Sequence, residues 1–148
     1  MRLPSEPVLN SRLTAELGKP VLMIDVMHVR PGETLAITFK GQSGGWRQGI
    51  WLAVVGQMQI AGVAGDQMTL WTDTAPSKVD VNVIRSEDGL LRIYNIWDSA
   101  RGLRQESQSA TSGMLKQANG DVVTYRCNDI GLNPTFEKLI FEIRRLGN

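Results

Sequence analysis

The sequence predicts an all-β protein folded as a two-sheet antiparallel sandwich of jelly-roll-like form. Three observations carry this expectation. Apolar and polar residues alternate over most of the chain after Val21, the period of half-buried strands. Gly, Pro, Asn and Asp interrupt the alternation at short intervals, with no sustained helical period. Two segments, Ile50 to Val55 and Leu90 to Trp97, are apolar or aromatic on both faces, whereas most strands have one face of each kind; that contrast favours a sandwich over a barrel. A shallow groove, a covering loop or a dimer interface explains a second apolar face.

Residues 1–20 read as an N-terminal arm, because Pro4, Pro7 and Pro20 interrupt regular structure. Ser11 to Leu17 offers Leu13 and Leu17 at helical spacing, but it is shorter than the ~12 residues an isolated helix needs, so a brief docked turn is expected. Residues 21–148 form a single domain. In its first part, Leu22, Ile24, Val26 and His28 share one face, Pro31-Gly32 supplies a turn, and Leu35, Ile37 and Phe39 line a returning strand. GQSGG then reads as a loop that delivers Trp46 and Arg47 to the surface or the rim.

Ile50 to Val55 is a doubly buried strand, separated by Gly56 from a weaker run with Met58 and Ile60. After the glycine loop GVAGD, Met68 and Leu70 alternate with Thr69 and Trp71 until Pro76 stops the strand. Val79, Val81 and Val83 then lead to Asp88-Gly89, a favoured hairpin dipeptide, and back through Leu91, Ile93, Asn95 and Trp97. Asn119-Gly120 predicts a second hairpin, joining Met114–Gln117 to Val122–Cys127, with Val123, Tyr125 and Cys127 inward. Asn133-Pro134 breaks the chain before a last strand with Leu139, Phe141 and Ile143 on one face.

Composition narrows the functional classes. The 148 residues carry 16 basic and 15 acidic side chains, a formal charge of +1, too small for the electrostatic footprint of nucleic-acid binding. Cys127 is the only cysteine, which rules out an intrachain disulfide and a Cys-rich zinc site and fits a reducing compartment. No segment has the apolar run of a signal peptide or the roughly 20 apolar residues of a membrane-spanning helix. A cytoplasmic protein with no membrane partner is the expectation.

Arg92 to Asp129 has the composition of a site, for polar residues crowd there around Tyr94, Trp97 and Tyr125. Trp46, Asn95, Trp97, Asp98, Arg101, Ser107, Arg126 and Asp129 are the candidate ligand-binding residues. Trp46 and Trp97 would stack on sugar rings, while Asn95, Asp98, Arg101 and Arg126 would hydrogen-bond hydroxyl groups. Trp51, between Ile50 and Leu52, reads as core. Arg101 or Arg126 could also clamp a carboxylate, either Asp98 or Asp129 internally or the acidic group of a ligand.

Catalytic readings rank lower. His28, the only histidine, sits in a strand with no partner set in sequence, no Gly-x-Ser-x-Gly elbow occurs, and Cys127 reads as a small buried residue. Asp98, Glu106 and Asp129 could converge as acid and base, but loop acids paired with Arg101, Arg104 or Arg126 explain them as well. Asp98, Asn128 and Asp129 are oxygen donors that suit calcium, yet turn formation accounts for them and the Asp-x-Asp-x-Asp-Gly loop is absent. Neither glycine loop has phosphate-cradle spacing. The sequence therefore calls for no catalytic residue, cofactor or metal.

The general look is similar to small bacterial β-sandwich modules, an architectural likeness that covers no functional motif. The leading expectation is a non-catalytic module for a glycan or another small polar or anionic ligand. An interaction module that self-associates through an exposed apolar sheet face is the alternative, and a carboxylate-based hydrolase the third.

Overall fold

The computed structural model describes residues 3–43, 45–131 and 134–147. Its elements are β1 (Val8–Leu9), α1 (Ser11–Leu17), β2 (Leu22–His28), β3 (Thr34–Gln42), β4 (Arg47–Ile60), β5 (Val63–Trp71), β6 (Lys78–Asp98), β7 (Gly113–Asn119), β8 (Val122–Asn128) and β9 (Leu139–Gly147). The fold is mostly β, 61% strand against 5% helix. The strands run in the order β1-β2-β7-β8-β9-β3-β6-β4-β5, and pairing of β2 with β6 closes six of them into an antiparallel barrel. A barrel thus stands where a two-sheet, jelly-roll-like sandwich was expected.

The cause is the length of β6. Its first half, Lys78–Asn82, pairs with β3, its second half, Leu90–Ile93, pairs with β2, and β4 runs along its other edge from Val81 to Asp98. One long strand therefore serves both ends of the ring. Two expected hairpins are absent for the same reason: β2 and β3 follow one another along β6 instead of pairing through Pro31-Gly32, and Asp88-Gly89 makes a bulge, not a turn.

That bulge leaves β6 continuous. Val54 faces Leu91 while Gly56 faces Ser86, so β6 carries the extra residues. Gly89 takes φ 71°, and the Asp88 carboxylate accepts from Leu90 N (3.2 Å) and from Arg92 Nη2 (2.7 Å). A Cβ at Gly56 would lie 2.3 Å from the Arg85 carbonyl oxygen, so only glycine lets the two strands approach there. The predicted Asn119-Gly120 hairpin is formed by β7 and β8, and the predicted C-terminal strand is β9. Asn133 and Gly44 lie outside the described residues.

Inside the barrel, Leu35, Ile37, Leu52, Val81, Val83, Leu91, Ile93, Tyr125, Phe141 and their neighbours form one core. Phe39 is only partly buried against it. Tyr125 stacks on Phe141 with ring centroids 4.8 Å apart. The arm is part of the fold: β1 pairs with β2, and Asn10 caps α1 by accepting from Leu13 N at 3.0 Å. Asn10 also donates to Ser112 O at 2.8 Å, and Leu13 packs with Val21 and Phe136. These contacts stabilise a helix too short to stand alone.

Candidate functional site

Register decides which aromatic residues reach the surface. Across β4 and β6, Gln48 faces Trp97, Ile50 faces Asn95 and Leu52 faces Ile93, whereas Trp51 faces Tyr94 and Ala53 faces Arg92. Because successive residues alternate between faces, the first set points into the barrel and the second points out. Trp51 and Tyr94 are half-buried and stacked, centroids 4.6 Å apart and planes 18° from parallel.

This pair lines a groove of about 1020 Å³. Its walls come from β5 through Asp66 and Gln67, from the arm through Leu3 to Ser5, and from the loop after β6 through Gln108. Trp51 Nε1 donates to Gln67 Oε1 at 3.3 Å, which fixes the indole and leaves the amide N–H groups of Gln67 as donors. Burial raises the pKa of Tyr94, and the hydroxyl of Ser107 beside it offsets part of the rise. Both tyrosine and indole therefore present neutral faces at any physiological pH.

At one end of the groove, Arg92 is 2% exposed yet fully engaged: it donates to Pro4 O through Nε (2.8 Å) and to both Asp88 oxygens (3.2 and 2.7 Å). The arginine hydrogen bonds hold the pKa of Asp88 below the ordinary carboxylate value. Arg92 thereby ties the arm to the groove's rim.

A second polar cluster closes one end of the barrel interior. Gln48 Nε2 donates to Asp129 Oδ2 at 2.8 Å, Asn95 Nδ2 to Asn128 O at 3.1 Å and Asn128 Nδ2 to Thr111 O at 2.8 Å. Gln48 Oε1, Trp97 Nε1 and Asp129 Oδ1 are buried there without a hydrogen-bond partner among the described residues. Burial raises the Asp129 pKa against the opposing Gln48 hydrogen bond.

The loop after β6 folds over this cluster. Glu106 pairs with Trp97 through backbone bonds in both directions and accepts from Ser99 N and Ser99 Oγ, each at 2.7 Å, and from Arg101 Nη2. Burial alone would raise its pKa, but these donors prevail and hold it at about 2. Arg101 thus clamps a carboxylate internally, though its partner is Glu106 and not Asp98 or Asp129.

The sequence candidates are divided by the fold. Asn95, Trp97 and Asp129 meet in the buried cluster, and Trp97, at 1% exposure, offers no stacking surface. Asp98 accepts from Ala100 N (2.9 Å) in the loop with Arg101. Ser107 sits by Tyr94, Trp46 is an exposed loop residue, and Arg126 faces outward from β8 at a separate pocket. Trp51, Gln67, Asp66 and Arg92 line the groove and are not among the sequence candidates, although the doubly apolar pattern of Ile50 to Val55 and Leu90 to Trp97 covers Trp51 and Arg92.

His28 is exposed at the end of β2, and its carbonyl accepts from Arg145 Nη2 at 2.6 Å. Cys127 is wholly buried, and desolvation pushes its thiol well above the ordinary value. Among the described residues, no group of three or more His, Cys, Asp or Glu gathers as a metal site, and no helix is long and apolar enough to cross a membrane. Comparison with protein-family models, curated proteins and solved structures finds no match.

Proposed function

We propose that this protein is a non-catalytic binding module that holds a glycan in the outer groove, against Trp51 and Tyr94. The stacked pair carries the reading: it offers a rigid aromatic surface in a groove of about 1020 Å³ whose other walls bear amides and carboxylates. Sugar rings have apolar C–H faces that pack on aromatic rings and a rim of hydroxyls that need such polar partners. Gln67, Asp66 and Gln108 supply both donors and acceptors around the rings. Chemical-shift mapping with neutral oligosaccharides tests the location. Shifts confined to Trp51, Gln67, Tyr94 and Gln108 support it, and shifts elsewhere count against it.

Self-association is a second reading, favoured by β5. This nine-residue strand ends the sheet order, and Val63 at its start is 62% exposed. A long free edge can pair with another copy. Light scattering that shows a monomer at high concentration would remove this reading.

A further inference from the structure

The barrel seam between β2 and β7 carries a second pocket, of about 580 Å³, which shares no lining residue with the groove. Backbone pairing joins these strands only at Leu22 and Met114. Past that point a side chain bridges them: Lys116 Nζ lies 3.0 Å from Asp25 Oδ2. The same oxygen accepts from Tyr125 Oη at 2.5 Å, and Asp25 Oδ1 accepts from Val26 N at 2.9 Å. Asp25 is 1% exposed, so it forms a built floor that holds Lys116 in place at the pocket.

Lys19 and Arg126 line the same pocket, and neither makes an ion pair among the described residues. Asp25 offsets one of the three cations, which leaves two positive charges uncompensated around one cavity. Pro20, Leu22 and Leu115 supply apolar wall beside them. An arginine fork and lysine ammonium groups suit a phosphoryl group, which carries nearly two negative charges and several acceptor oxygens. The volume falls in the range of small-molecule sites, about 300–1,000 Å³, far more than a bare phosphate fills.

We propose that this pocket binds a small phosphomonoester, with its phosphate among Lys19, Lys116 and Arg126 and its organic body against Pro20, Leu22 and Leu115. The pocket and the glycan groove have different lining residues, so either assignment can fail without the other.

Titration calorimetry at low ionic strength with adenosine 5′-monophosphate, inorganic phosphate and adenosine as probes tests the proposal. The nucleotide should bind about tenfold or more tightly than inorganic phosphate, adenosine should not bind, and Arg126→Ala or Lys19→Ala should each weaken binding about tenfold with an unchanged circular-dichroism spectrum. Affinity should fall as salt rises. Equal affinity for the nucleotide and inorganic phosphate would overturn the organic-body assignment. Nucleotide binding unchanged in both variants, or none by about 10 mM nucleotide, the level of a very weak ligand, would overturn the site.

Discussion

Tyr125 Oη on β8 donates to Asp25 Oδ2 on β2 at 2.5 Å, across a seam where the intervening β7 makes one backbone pairing to β2. Side chains therefore close the barrel where the ladder does not. Burial, followed by the adjacent Asp25 charge, raises the pKa of Tyr125, so the phenol remains a donor.

Tyr125→Phe keeps the stack on Phe141 and removes only this donor. The expected cost is about 1.5–3 kcal/mol, the range for a hydrogen bond to a charged group. Urea denaturation measures it, and a loss below about 0.5 kcal/mol would place closure of the seam elsewhere.

Glu106 should stabilise the fold at neutral pH. Its folded pKa of about 2 lies below the ordinary value of 4.5, so its contribution is full above pH 4.5 and disappears as pH falls toward 2. Glu106→Gln should lower Tm at pH 7 and have little effect near pH 2. An equal loss at both values would assign the effect to packing.

Asp129 has the opposite sign. A folded pKa raised by burial means that ionisation opposes folding: the penalty is absent below the unfolded value of 3.8 and grows as pH rises through the folded pKa. Asp129→Asn keeps an acceptor for Gln48 and removes the charge. Tm should rise at pH 7 and stay unchanged at pH 3; a lower Tm at pH 7 would show that the carboxylate is needed ionised.

Phe141→Ala should cost about 3–5 kcal/mol, because the ring is fully buried against Tyr125. Gly56→Ala should destabilise by about 1–3 kcal/mol through its φ of 157° and the clash with Arg85 O. Near-neutral effects in a denaturant titration would contradict these placements.

The strands were legible because alternation is local. Val79, Val81 and Val83, or Leu139, Phe141 and Ile143, announce a buried face without reference to any other strand. Barrel closure was not legible, since it depends on the register of β6 against three partners and on Asp88-Gly89 bulging rather than turning. A dipeptide that suits a hairpin suits a bulge as well when a long partner such as β4 is present.

The aromatic assignments were exchanged for the same reason. Trp51 among apolar neighbours reads as core and Trp97 beside Asp98 as a candidate for ligand stacking, yet parity through the ladder sends Trp51 outward and Trp97 inward. Only the cross-strand register distinguishes them. The crowding of polar residues between Asn95 and Asp129 did mark a real cluster, but one that fills the barrel's end with internal hydrogen bonds.

The most direct measurement is a glycan array probed with the wild-type protein and with Trp51→Ala, Tyr94→Ala and Trp46→Ala. Wild type should retain a defined set of neutral glycans, loss of Trp51 or Tyr94 should weaken retention about tenfold or more, as expected of a central aromatic anchor, and loss of the remote Trp46 should change nothing. No glycan retained by the wild type, or equal retention by Trp51→Ala, would contradict a glycan-binding groove on this face.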